Sequence, residues 1–217
     1  MTAPTLTRQA RKAETRRALV QAAGELFALY GMERTSLDEI AGRVGLTKGA
    51  IYANFRNKDD LIDAVGEEFS QLSDGAALYD PSRPIAERLA ALGAEIAAFM
   101  PGLVPVNVML HLEYDLYLQR HPERAVQDRA EHRNWLAQEG HKLDEIARAR
   151  AEPLPLSGAQ LWALLLGAAR GIGFERLKDP DAIPPAAAAQ FFALLGRGIE
   201  AWSRATVDHV TDIASTP

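Results

Sequence analysis

Apolar positions recur along the chain at intervals of three and four residues, the spacing of one helix face, and no stretch keeps the period of two that a strand requires. Over residues 10–30, Leu19, Ala22, Ala23, Leu26, Phe27 and Tyr30 hold helical spacing, and Gly31 follows as a C-terminal stop. Ser36 stands three residues before Glu39, a capping-box spacing, and opens a helix through Leu37, Ile40, Ala41 and Val44 that ends at Gly45. Thr47 is placed to cap a third helix over 48–55, with only Gly45 and Leu46 between the two. Two short helices joined by so tight a glycine-containing turn make a helix-turn-helix.

A fourth helix is expected from Lys58 through Leu61, Ile62, Val65 and Phe69, fading in the turn-rich stretch 73–84. Further helices are predicted over 85–100 and, after a break at Pro101 and Gly102, over 105–119. Another covers 123–149. Ser157 and Gln160 repeat the capping-box spacing before a helix to Leu177, and Pro185 sits at the first position of a last helix to about Val207. The pattern is that of an all-α protein of about nine helices.

Composition narrows the function classes. With 47% apolar residues in 217, the chain can bury a substantial core, which excludes wholesale disorder. Cysteine is absent, which removes disulfides, thiolate zinc sites and a cysteine nucleophile, and fits a reducing cytoplasm. The apolar run from Leu161 to Ala169 covers nine residues, about half of the roughly 20 that cross a bilayer, so no membrane span is expected. The first thirty residues lack the uninterrupted apolar stretch of a secretory signal and read as folded protein.

The net charge of -5 argues against a nucleic-acid partner until its distribution is considered. From Met1 to Lys58, ten Lys and Arg face five Asp and Glu, a net +5; the remainder holds 14 against 24, a net -10. The most basic part is the start of the first helix, with Arg8, Arg11, Lys12, Arg16 and Arg17. A basic head on an acidic body suits a protein of which only one end meets phosphate.

The informative window is residues 35–58, T-S-L-D-E-I-A-G-R-V-G-L-T-K-G-A-I-Y-A-N-F-R-N-K. With the A-x-x-L-F helix end before Gly31 and the following N-K-D-D-L, it resembles the tetracycline-repressor (TetR) family of bacterial regulators over residues 15–65. The resemblance implies a helix-turn-helix DNA-binding domain over 1–57 and a helical effector-binding and dimerisation domain over 58–217. It implies a transcriptional regulator, a repressor that binds a palindromic operator as a homodimer in the cytoplasm and is released by a small-molecule effector. No cofactor and no metal are expected. The second helix of such a motif enters the major groove N-terminus first, which favours small and polar residues there. Lys48, Gly49, Ala50, Tyr52 and Asn54 meet that demand. Gly49 and Ala50 allow close approach, Lys48 can reach a phosphate or a guanine edge, Tyr52 can offer its hydroxyl to a phosphate, and Asn54 can pair with adenine or contact a phosphate. Ser36 and Thr47 can add donors to phosphates at helix N-termini. Lys58 is a further phosphate clamp by resemblance. The alternatives are a core position for Tyr52, beside Ile51 and Phe55, and solvated surface for Lys48 and Lys58.

One such motif reads too few base pairs for genomic specificity, so a two-fold partner is expected. The last two helices offer Leu161, Leu164, Leu165, Ala168 and Ile172, with Phe191, Leu195, Ile199 and Trp202, as an interface; Gly167, Gly171, Gly196 and Gly198 suggest close helix packing there. The alternative is an intrachain core. Candidate effector-pocket residues are Phe99, Met109, Glu113, Tyr114, Tyr117, Trp135 and Trp162. Glu113 falls on a largely apolar face and needs a partner, whether a ligand, an arginine or a helix terminus. His111 and Asp115, four apart, are too common a pairing to indicate a metal. An activator, a ligand-independent DNA-binding factor and a protein-contact adaptor are the rival readings. Without a nucleophile, a phosphate loop or a metal cluster, no enzymatic activity is expected.

Overall fold

The structure, a computed structural model, describes residues 8–70 and 75–215. Among these residues it is all helical: α1 Arg8–Tyr30, α2 Leu37–Arg43, α3 Lys48–Tyr52, α4 Lys58–Ser70, a 3₁₀ turn Ala76–Tyr79, α5 Ile85–Arg120, α6 Pro122–Ala149, α7 Gly158–Lys178 and α8 Pro185–Ser215. The expected break at Pro101 and Gly102 does not occur, because α5 runs on through it. A proline removes one helical hydrogen bond and crowds the carbonyl four residues back, a cost of about 3 kcal/mol. Here the flanking stretches are each held by a core: Ile85, Leu89 and Leu92 in one, Leu110 and Tyr117 in another.

The chain divides into two compact units, residues 1–72 with 106–121, and residues 73–105 with 122–217. The unit that holds the helix-turn-helix therefore extends past residue 57, taking in α4 and the last part of α5. The proline-rich stretch that reads as a helix break is where α5 passes from one unit to the other.

In the first unit α1 packs against α2 and α4, and α2 against α3. Leu19, Ala23 and Phe27 of α1, Ile40 and Ala41 of α2, Ile51 of α3, Phe55, and Leu61, Ile62 and Val65 of α4 share one core. Gly31, at φ +90°, closes α1 in a conformation that side chains rarely adopt, and its N–H returns to the Phe27 carbonyl at 2.9 Å. Glu113 reaches this turn from α5, its carboxylate accepting the Met32 N–H at 3.3 Å. The Tyr117 hydroxyl donates to Asp59 at 2.6 Å, and Arg120 pairs with Glu33 at 3.2 Å. These contacts bind the end of α5 to the α1–α2 turn and to α4.

In the second unit α6 packs along α7 at backbone contact. A Cβ on Gly140 would lie 2.1 Å from the Ala159 nitrogen, and the Gly158 N–H donates to Asp144 at 2.8 Å. Arg88, 1% exposed, donates to the Leu78 carbonyl at 3.2 Å and pairs with Glu152 at 3.5 Å. Arg150 holds the same carboxylate and the Pro81 carbonyl, each at 3.0 Å. The 3₁₀ turn and the α6–α7 loop are joined through these side chains.

Candidate nucleic-acid interface

The turn between α2 and α3 is built by local chemistry. Ser36 and Glu39 form the complete capping box: the Ser36 hydroxyl accepts the Glu39 N–H at 3.2 Å, and the Glu39 carboxylate accepts the Ser36 N–H at 2.7 Å. The same carboxylate takes the Ser36 hydroxyl proton at 2.8 Å, and these bonds hold Glu39 below its ordinary pKa. Both Ser36 donors are thus engaged by Glu39. Gly45, at φ +69°, ends α2, and the Leu46 N–H bonds the Ala41 carbonyl at 2.9 Å, the long bond of a Schellman motif.

Thr47 occupies the N-cap of α3 with extended backbone but makes no side-chain capping bond, contrary to the expectation. The cause is local: the Ala50 N–H that its hydroxyl would satisfy already bonds the Thr47 carbonyl at 2.9 Å. The exposed hydroxyl stays at the surface beside Gly49, where a Cβ would meet nothing nearer than that oxygen at 3.9 Å. Helix α3 is shorter than the expected 48–55 and ends at Tyr52.

Alternate residues of this segment face opposite ways. Ile51 and Phe55 are buried, whereas Tyr52 is 50% exposed, so the core alternative for Tyr52 is excluded. Lys48 is exposed and its ammonium lies 2.8 Å from Asp38, which raises its pKa. Exposed pairs of this kind are weak because solvent screens them, so the ammonium is readily exchanged onto another anion. Ala50 is half-buried. Asn54 turns back on its own helix, its Nδ2 donating to the Ala50 carbonyl at 2.8 Å, and its Oδ1 is buried without a partner. In this arrangement its amide is a helix stop and not a free reader of base edges. Lys58 is half-buried and spans to the Glu33 carbonyl at 3.0 Å; burial lowers its pKa.

The remaining sequence-predicted residues fall into different settings. Met109, Glu113, Tyr114 and Tyr117 pack with the first unit, and the partner that Glu113 requires is the backbone N–H of Met32. Phe99, Trp135 and Trp162 belong to the second unit. There Trp162, Trp135 and Tyr79 form an aromatic cluster with ring centroids 5.9 and 6.1 Å from Trp162, and the Tyr79 hydroxyl donates to Glu139. Burial and that bond push the Tyr79 pKa up. Phe99 is exposed, and the His111 ring is bonded to the Asn107 carbonyl at 2.8 Å.

For the last two helices the sequence fixes the apolar content but not which side faces outward. Leu161, Leu165 and Ile199 turn into the chain's own core, which removes them from an exposed face; Ala168, Ile172 and Leu195 lie half-buried against it. Phe191, Trp202 and Leu164 are exposed, together with Phe174 of α7 and Leu194 of α8, which periodicity did not single out. Gly196 packs within the chain, where a Cβ would lie 2.9 Å from Ala86. At Gly167, Gly171 and Gly198 a Cβ would meet nothing within 4 Å. Leu164, Gly167, Gly171 and Phe174 share one face of α7, and Phe191, Leu194, Gly198 and Trp202 one face of α8.

Residues 19–65 match the family model described as bacterial regulatory proteins, tetR family. The A-factor receptor protein of Streptomyces griseus is 40% identical over 63 residues, 29% of this chain and 23% of that protein. The probable acrEF/envCD operon repressor of Escherichia coli K12 is 30% identical over 95 residues, 41% of this chain and 43% of that one. The matches thus span less than half of these relatives. The crystal structure of NalD, described as the secondary repressor of the MexAB-OprM multidrug efflux pump in Pseudomonas aeruginosa, shares the fold over 86% of this chain and 95% of its own, with a TM-score of 0.59 at 23% identity. The N-terminal helix-turn-helix of this chain, over residues 19–65, thus matches the DNA-binding region of the tetR family of bacterial regulatory proteins.

Proposed function

We propose that this protein is a repressor that binds a palindromic operator as a homodimer and leaves it when a small molecule occupies the C-terminal region. The observation that carries the reading is α3. Lys48, Gly49 and Tyr52 present a low, exposed surface on a helix whose inner side, Ile51 and Phe55, is locked in the core. A helix so presented can enter a major groove while the core fixes its angle. Thr47 supplies a free hydroxyl at its start, and Lys48 an ammonium held only by an exposed pair. Ser36, Ala50, Asn54 and Lys58 support this surface: Ser36 shapes the entry of α2, Asn54 stops α3, and Lys58 fastens α4 to the α1–α2 turn.

The unpartnered apolar faces of α7 and α8 supply the dimer contact in this reading. Effector binding shifts the population toward dimers whose two recognition helices no longer fit successive grooves, and by linkage operator DNA weakens effector binding by the same factor. That two relatives are described as repressors, and one as a receptor, supports repression relieved by a ligand. Such a regulator works in the cytoplasm. Selection of bound fragments from genomic DNA tests the reading. The expected result is a palindrome whose half-sites lie about one helical turn, roughly 10 base pairs, apart or slightly more; recovery of fragments with no shared sequence would refute it.

A further inference from the structure

The positive charge of the N-terminal region is not where the recognition helix is. Of the net +5 carried by residues 1–58, +4 belongs to residues 8–17 and only +1 to residues 18–58. The cations of the latter stretch are also largely engaged: Arg43 by Glu25, Lys48 by Asp38, Arg56 by Asp60, and Lys58 by the Glu33 carbonyl. The helix-turn-helix by itself offers little net attraction to phosphate.

The first turns of α1 differ on every point. Arg8, Arg11, Lys12, Arg16 and Arg17 are all exposed, and none has an ion-pair partner among the described residues. Arg8, Arg11, Lys12 and Arg16 recur at intervals of three and four, so they form one lateral stripe about 12 Å long at 1.5 Å per residue. Arg16 fixes where that stripe lies. Its guanidinium sits 4.9 Å over the ring of Phe55, the buried residue just beyond α3. The stripe therefore begins beside the end of the recognition helix and continues away from it along α1.

We infer that this stripe is a second DNA contact, a clamp in which Arg8, Arg11 and Lys12 bind backbone phosphates flanking the half-site, with Arg16 holding α1 in register against Phe55. The inference rests on the DNA-binding reading above and deepens it: α3 supplies sequence preference and α1 most of the electrostatic attraction. Duplex DNA presents one charge per about 1.7 Å of axis, so a stripe of this length has several phosphates within reach. Contacts to phosphate carry no base preference.

The test is fluorescence anisotropy over a salt series. The full-length protein is compared with an Arg8→Gln, Arg11→Gln, Lys12→Gln variant, on a selected operator fragment and on an unrelated duplex of equal length. Glutamine keeps helix propensity close to that of Arg and Lys, so α1 stays folded, which circular dichroism checks. The slope of log affinity against log salt should become shallower by about 0.9 per lost contact, about 5.4 for the six contacts a dimer loses. Between about 50 and 200 mM salt the native protein should lose roughly 1,800-fold more affinity than the variant, with the preference for operator over unrelated duplex unchanged. A control pair on α6, Arg129→Gln with Arg133→Gln, should leave the slope as it was. An unaltered slope in the triple variant, or an equal flattening in the control, overturns the clamp while leaving recognition by α3 standing. Failure of the native protein to bind either duplex overturns the DNA-binding reading and the clamp with it.

Discussion

Replacing Gly167, Gly171 and Gly198 together by alanine discriminates between a free and a covered face on α7 and α8. In the isolated chain a Cβ at each of these positions meets nothing within 4 Å. Each glycine in a helix interior costs about 0.8–1.0 kcal/mol relative to alanine, so on a solvent-facing surface the triple variant gains roughly 2.5–3 kcal/mol. If a second copy packs there, six methyl groups, three from each copy, must be accommodated between closely approaching helices, at about 1–3 kcal/mol each. At even the low end that totals about 6 kcal/mol, which weakens dimerisation by roughly 20,000-fold. The dimer account predicts a more stable monomer and a weaker dimer, read by sedimentation equilibrium together with thermal unfolding at several protein concentrations. A higher Tm with unchanged self-association would refute the interface. Gly140→Ala is the internal control, because its Cβ would strike the Ala159 backbone within one chain and should lower Tm at every concentration.

Other outcomes follow from single contacts. Glu152→Ala leaves the buried Arg88 guanidinium without its carboxylate and should cost about 3–5 kcal/mol, which calorimetry would register as a Tm lower by about 2–4 °C per kcal/mol. Glu113→Ala removes the acceptor of the Met32 N–H; a loss of about 1–3 kcal/mol should appear as faster hydrogen exchange in the α1–α2 turn. Asp60 is held at about pKa 2 by its bonds from the Arg56 side chain and backbone, against an ordinary 3.8. Because the folded pKa is depressed, the stabilisation is present above the ordinary value and disappears as pH falls from about 3.8 toward 2. An NMR titration should place the Asp60 midpoint near 2 and return it toward 3.8 in Arg56→Gln.

How much was legible in the sequence depended on how local the cause was. Both capping boxes, Ser36 with Glu39 and Ser157 with Gln160, form as their spacing predicts, since each is closed by residues three apart. Gly31, Gly45 and Pro185 likewise mark real boundaries. The helix-turn-helix was readable because its turn, caps and core periodicity lie within one short window. Three features were not. Pro101 signals a break by its own chemistry, but the two stretches it separates are each held in a core and the helix persists. Helices α7 and α8 are apolar on most sides, so period alone does not separate Leu165, which is buried, from Leu164, which is 62% exposed. Gly140 and Gly158 mark a backbone crossing, and Arg88 a buried ion pair, through partners far away in sequence, where a charged residue is ordinarily read as surface.

The central claim is that α3 reads DNA, and it is tested most directly by measuring the affinity of native protein and of a Lys48→Ala, Tyr52→Ala variant for the same selected fragment at one salt concentration. Neither side chain belongs to the core, so both proteins should unfold at the same temperature. The account predicts tight binding by the native protein and loss of the preference for that fragment over unrelated DNA in the variant. Equal affinity and equal preference in the two proteins would contradict it.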